Sequence, residues 1–88
     1  SIWYDNIVDK IKRVNDKVKE VKVKVNFANI NNVVGHKKSN IKKIKDTYDV
    51  DVLVEADNNI KIGKSELIIL QTYDQYKEQV REKIEINN

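Results

Sequence analysis

The sequence predicts a small α+β domain, and three observations lead to this prediction. Residues 21–27 alternate strictly between apolar and polar side chains, a pattern typical of a half-buried β-strand. Near both ends of the chain, apolar side chains recur at steps of three and four residues, as they do in amphipathic helices. Residues 67–70 form an uninterrupted apolar run, which favours a strand that is buried on both faces.

Composition limits the possible classes of protein. The 88 residues suffice for one small domain, and no cysteine is present to form a disulfide, a thiolate zinc site or a nucleophile. No apolar run approaches the roughly 20 residues of a membrane span, so we expect no membrane partner. The first residue is Ser1 rather than methionine, and we therefore expect the chain to be part of a longer protein.

The first half of the chain predicts a helix, a strand and two further helices. Residues 2–20 place Trp3, Ile7, Ile11, Val14 and Val18 at helical spacing, and residues 21–27 form the first strand. Residues 28–34 fit one or two helical turns. Residues 39–48 form the next helix, with Ser39 as its N-cap and Ile41, Ile44 and Tyr48 on its core side.

The second half predicts two strands and a closing helix. Residues 50–56 form the second strand, and Asp57, Asn58 and Asn59 supply the chemistry of a turn. Because residues 67–70 are apolar on both faces, we expect this third strand in the middle of the sheet. Residues 73–84 form a helix that has Tyr73, Tyr76 or Lys77, Val80 and Ile84 on one side.

Positive charge is concentrated in one segment. Residues 33–45 contain five lysines and no acid, whereas the whole chain has a net charge of only +3. A cationic patch at the start of a helix attracts phosphate through its side chains and through the free N–H groups of the helix. The alternative interpretation is an ordinary solvated helix face. The lysines are Lys37, Lys38, Lys42, Lys43 and Lys45.

The same segment carries a resemblance to a known family. Residues 33–44 read VVGHKKSNIKKI, which resembles the pattern IIGxxGxxIKKI of the helix–GXXG loop–helix core of KH domains. The resemblance implies a type I KH fold of order β-α-α-β-β-α over residues 21–88. In that fold a three-stranded antiparallel sheet, with its last strand in the middle, packs on three helices.

Residues 1–20 would precede this unit as an amphipathic helix, which we expect to dock on an apolar surface through Trp3, Ile7 and Ile11. The joint between residues 9–14 and 21–23 is similar to the joints between tandem KH domains of vigilin-like proteins, in which the closing helix of one unit leads into the next. We therefore expect neighbouring KH domains as partners, in a cytoplasmic or nuclear protein that regulates translation.

For function, the resemblance implies that the loop clamps the backbone of single-stranded RNA or DNA while bases lie in an aliphatic groove. Lys42 is a further candidate for contact with phosphate. Ile41 is equally compatible with the core and with the groove. The positions that match the family's binding surface are Val34, Gly35, His36, Lys37, Lys38, Ile41, Lys42, Lys45, Val52 and Leu53.

Lys38 departs from the family pattern, because it occupies the position of the second loop glycine. Its side chain obstructs close approach of a nucleic-acid backbone, but its charge offers a point contact for phosphate. Two functions remain open: a nucleic-acid-binding module that is weak alone, or a degenerate KH domain that contacts proteins such as its neighbours or a ribosome.

Catalysis has little support in the sequence. His36 is the only histidine, which leaves too few residues for a histidine metal cluster or a Ser–His–Asp triad. The alternating Asp49, Asp51, Glu55 and Asp57 are interpreted as a solvated strand face. We therefore expect no enzyme, no metal and no cofactor.

Overall fold

The protein is an α+β domain, as predicted, with four helices and a three-stranded mixed sheet in the part of the chain that is described. The structure, a computed structural model, describes residues 1–87, so Asn88 at the end of the predicted domain lies outside it. The elements are α1 (Ile2–Arg13), β1 (Val18–Val25), α2 (Ile30–Val34), α3 (Ser39–Tyr48), β2 (Asp51–Ala56), β3 (Ser65–Thr72) and α4 (Tyr73–Asn87).

The sheet has the order β2-β1-β3, with β1 parallel to β2 and antiparallel to β3. The prediction of an antiparallel sheet with the last strand in the middle is therefore wrong. The chain leaves β1 through the helices α2 and α3, and such a helical crossover returns it in the same direction beside β1. The 57–64 connection then carries the chain past β1 to its other side, which makes β3 an edge strand.

The predicted pairing of the first strand with residues 67–70 is confirmed, since Val21 lies opposite Ile69 and Val23 opposite Leu67. The apolar run of β3 nevertheless does not reflect burial on two faces. Ile68, Ile69 and Leu70 are each about two-fifths exposed, at 40%, 42% and 39%. The central strand is β1, and its alternating valines are buried against the helices.

Helix α1 docks on the domain's own core, which confirms that this segment packs rather than extending freely. Ile7 is fully buried, and Trp3 and Ile11 pack against the core cluster. The helix is shorter than the predicted residues 2–20. It ends at Arg13, because Val14 adopts an extended backbone with ψ 131°, and β1 already begins at Val18.

One core lies between the sheet and the first three helices. Each of its aliphatic side chains contributes about 1.5–3 kcal/mol by leaving water, before the entropy of ordering is subtracted. The opposite face of β1 is polar, and there Lys22 and Lys24 pair with Glu55 and Asp57 of the neighbouring strand and turn. The side chains with the least exposure are Ile7, Val21, Val23, Val25, Val33 and Ile44.

Helix α4 follows β3 without a loop. Thr72 caps it: its Oγ1 accepts the N–H of Gln75 at 3.1 Å, and its own N–H donates to Gln75 Oε1 at 2.8 Å. Only the start of the helix packs on the domain, and the described side chains from residue 77 to 85 are all exposed. The predicted apolar side therefore leaves Val80 and Ile84 in solvent. None of the helices in residues 1–87 is both long and apolar enough to cross a bilayer.

Candidate nucleic-acid interface

Residues 35–38, called the loop from here on, connect α2 to α3 and begin with a glycine that the geometry requires. Gly35 has φ +81°, and its N–H donates to the Asn31 carbonyl at 2.9 Å. A Cβ at this position would lie 2.6 Å from Ser39 Oγ and 3.0 Å from the backbone nitrogen of Asn40. The close approach of the two helices therefore excludes a side chain here.

The last two loop residues, Lys37 and Lys38, are left-handed, with φ 53° and 63°. Side chains with a Cβ are strained in this region, by roughly 1–2 kcal/mol per residue. Lys38 therefore stands at a position that favours glycine, in agreement with the family pattern. It also precedes the first helical residue, so the prediction that Ser39 is the N-cap is wrong: Ser39 begins α3.

Hydrogen bonds fix the loop between its helices. The Asn40 side-chain amide donates to the carbonyls of Asn32 and Val33 at 3.2 and 3.1 Å, which satisfies the end of α2. Inside the loop, the N–H of Lys38 donates to the Gly35 carbonyl at 3.1 Å. The side chains of His36, Lys37 and Lys38 are left exposed to solvent.

A groove of about 560 Å³ runs between α3 and β2, and we call it the α3–β2 groove. Its apolar wall includes Ile41 from the first turn of α3 and Leu53 from β2, which is 49% exposed. Because the loop leads directly into that first turn, its lysines stand at one end of the groove. The lining residues are Glu20, Ile41, Lys42, Lys45, Asp46, Val50, Asp51, Val52 and Leu53.

The structure thus brings together five of the ten predicted binding residues in the groove, namely Ile41, Lys42, Lys45, Val52 and Leu53. The other five do not line the groove. They are Val34, at the end of α2, and the four loop residues Gly35, His36, Lys37 and Lys38. Val52 is only 7% exposed, so it serves mainly the core.

Acidic side chains at the other end of the groove hold Lys45. Its Nζ lies 3.1 Å from Asp49 Oδ1 and 3.0 Å from Asp51 Oδ1. Lys19, whose side chain is almost fully buried, contacts the same two carboxylates at 3.2 and 3.3 Å. The hydrogen bonds from Lys45 and then from Lys19 lower the pKa of Asp49. Lys45 is therefore engaged within the protein.

Sequence reasoning missed the acidic members of the groove. Glu20 lies opposite Asp51 in the parallel pair of β1 and β2, and Asp46 lies one turn beyond Lys42 on α3. The neighbourhood of Glu20 follows from the strand order, and the apolar/polar alternation carries no information about that order. Helical spacing alone was sufficient to place Asp46 beside Lys42.

The lysines near the start of α3 differ from Lys45 in their ion pairing. Among the described residues, no carboxylate forms an ion pair with Lys37, Lys38 or Lys42. Lys43 instead makes a cation–π contact, with its Nζ 4.4 Å from the centre of the Tyr4 ring. Within residues 33–45, the positive charge that is available to a ligand is therefore concentrated where α3 begins. Residues 1–87 contain no group of three or more His, Cys, Asp or Glu side chains placed to hold a metal ion.

No protein-family model, no curated protein and no solved structure matches this chain. The resemblance to KH domains depends on residues 33–44 and on the order of the elements from β1 to α4.

Proposed function

We propose that this domain binds single-stranded nucleic acid, RNA above all, in the α3–β2 groove. The observation that carries the proposal is an open apolar groove that adjoins three lysines without carboxylate partners, Lys37, Lys38 and Lys42. Apolar surface and unpaired positive charge side by side suit a ligand that carries bases on a phosphate backbone.

Each part of the ligand has a matching part of the site. The lysines at the loop end attract phosphates as point charges, and bases lie against Ile41 and Leu53. The carboxylates near Lys45 repel phosphate, so the backbone stays at the loop end. With Lys38 in place of a glycine, the backbone cannot approach the loop closely, and binding by one domain is weak.

We further propose that the chain is a KH domain with a degenerate loop, acting in the cytoplasm within a multi-KH protein and without enzymatic activity. The element order and the left-handed position of Lys38 support this assignment. The mixed sheet departs from the antiparallel sheet expected of the type I family, and it places β1 rather than β3 in the centre.

The test is a titration of random single-stranded RNA into the protein at several salt concentrations, followed by fluorescence polarisation. Two or three lysine–phosphate contacts give a log–log salt slope of about −1.5 to −2 for a single strand. A pool that fails to bind even at low salt would exclude the function. Binding with no dependence on salt would exclude the lysines as phosphate contacts.

A second candidate is a protein-contact module that binds a neighbouring domain or a ribosome. The observation in its favour is that Glu20, Asp46 and Asp51 line the groove and repel phosphate. If RNA does not bind, recovery of a partner protein that is lost on charge reversal at Lys42 would favour this candidate.

A further inference from the structure

Strand β3 is an edge of the sheet with no second strand beside it in the described chain. Its outward N–H and C=O groups between residues 66 and 71 are therefore free to pair with another strand. The edge is engaged only at its two ends, where Lys10 Nζ donates to the Ser65 carbonyl at 2.8 Å and the Thr72 N–H donates to Gln75 Oε1 at 2.8 Å. An edge of this length is a template for strand addition.

Strand β3 lacks the side chains that usually protect a sheet edge from pairing with another strand. Proteins protect edges with lysine, proline or inward-pointing charges, yet β3 has Glu66 as its only charged residue. It exposes Ile68, Ile69 and Leu70 instead. The opposite edge, β2, carries Asp51 and Glu55 in ion pairs and borders the α3–β2 groove.

We propose that the free edge of β3 pairs with β3 of a second copy of this chain. The two strands run antiparallel about a two-fold axis perpendicular to the sheet, and together the copies form one six-stranded sheet. The sequence of β3 is complementary to itself in this arrangement. With the axis at Ile69, Ile68 of each copy lies opposite Leu70 of the other, and Glu66 lies opposite Thr72.

Charge does not oppose a second copy, because Glu66, the one charged residue of β3, faces the uncharged Thr72 in this register. Strand pairing alone buries less than the roughly 1,000 Å² that a stable interface needs. We therefore expect a dimer that dissociates on dilution.

The proposed dimer leaves the α3–β2 groove open, because that groove lies at the other edge of each sheet. The dimer thus carries one groove at each end. Two grooves on one dimer would bind a longer RNA more tightly through avidity, and this consequence rests on the proposed function. The proposal that the chain dimerises does not rest on RNA binding.

The experiment is sedimentation equilibrium of the full chain over a wide concentration range. The wild type is expected to pass from 10.3 kDa to about twice that mass as concentration rises. Ile69→Lys should weaken dimerisation more than about tenfold, which corresponds to 1.4 kcal/mol. Leu53→Lys, the matched control at an equally exposed apolar site on the β2 edge, should dimerise like the wild type.

A cysteine variant makes the test independent of any loss of folding by the lysine variant. The chain has no cysteine, so Ile69→Cys places one thiol on the proposed axis, where it meets its own copy. Mild oxidation should link this variant into dimers, and Leu53→Cys should remain largely monomeric. A wild type that stays monomeric at every concentration, or equal linking of both cysteine variants, would overturn the proposal.

Discussion

The two ends of helix α3 have similar backbones but different electrostatics, since one end carries unpaired positive charge and the other a balanced network of ion pairs. Left-handed residues flank the helix on both sides, Lys37 and Lys38 before it and Asp49 after it. At the first end the lysines have no carboxylate partner in the described chain. At the second end Asp49 and its neighbour Asp51 hold Lys45 and Lys19 in a network of four ion pairs.

This difference shows that the number of lysines in residues 33–45 overstates the positive charge that the segment offers to a ligand. The sequence presents five lysines in residues 33–45 as one cationic segment, but the carboxylates that neutralise Lys45 follow just outside that window. The charge available to a ligand is therefore that of the loop and the first turn of α3. The predictions below separate the two ends, in order of decreasing effect.

The largest effect is expected from Gly35→Ala, which disturbs the loop end alone. The added Cβ meets Ser39 and the backbone of Asn40, and φ +81° is strained for alanine. We expect the free energy of unfolding to fall by about 2–4 kcal/mol in chemical denaturation.

Gly63→Ala is the matched control for this prediction. Gly63 has a similar φ of +86°, but no atom lies within 4 Å of its added Cβ, so strain remains and the clash is absent. The control should lose only about 1 kcal/mol. Equal losses for the two variants would show that helix packing at the loop does not require a glycine.

A smaller effect is expected from neutralising one lysine at each end of the groove. Lys42→Gln removes an unpaired charge and should weaken RNA binding roughly fivefold, or about 1 kcal/mol. Lys45→Gln removes a lysine that Asp49 and Asp51 already hold, so binding should weaken less than with Lys42→Gln. Fluorescence polarisation at constant ionic strength measures both. A larger loss for Lys45→Gln would reverse the assignment of the two ends.

The smallest effect is expected from glycine at the two left-handed loop positions. Lys38→Gly and Lys37→Gly each remove one charge and one strained residue, and each should stabilise the fold by about 0.5–1 kcal/mol. Only position 38 matches the second glycine of the KH loop. RNA affinity should therefore rise with Lys38→Gly and fall with Lys37→Gly.

The competing outcome at position 38 has an equally physical cause. If Lys38 holds phosphate by its charge, Lys38→Gly weakens binding to all sequences to the same degree as Lys37→Gly. That result would contradict the view that the side chain obstructs the nucleic-acid backbone.

Local pattern predicted much of the fold and less of the site. The pairing of β1 with β3 was expected from the apolar run of residues 67–70, and it is observed. Periodicity predicted the α+β class and the docking of α1 through Ile7, because both depend on which face of an element is apolar. It does not specify which strands are neighbours, and the apolar run of β3 was therefore misread as a central strand. Helix α1 was predicted to be too long because Val14 and Val18 continue the three- and four-residue spacing of its apolar side chains, although the backbone at Val14 is already extended.

At the candidate site, the resemblance of residues 33–44 to the KH pattern pointed to the loop, and helical spacing placed Ile41 and Lys42 on adjoining sides of α3. The neutralisation of Lys45 was beyond such reasoning, since it requires Lys19 from β1 and Asp51 from β2 to meet beside the end of α3. The contact arises from the parallel pairing of the two strands, which the pattern did not predict.

The most direct test of nucleic-acid binding in the α3–β2 groove is a two-dimensional amide NMR titration with a short single-stranded RNA. The largest shift changes are expected at residues 35–42 and at Leu53, with little change at residues 77–85 of α4. Changes confined to α4, or centred on Lys45 and Asp49 with the loop unaffected, would contradict the proposed site.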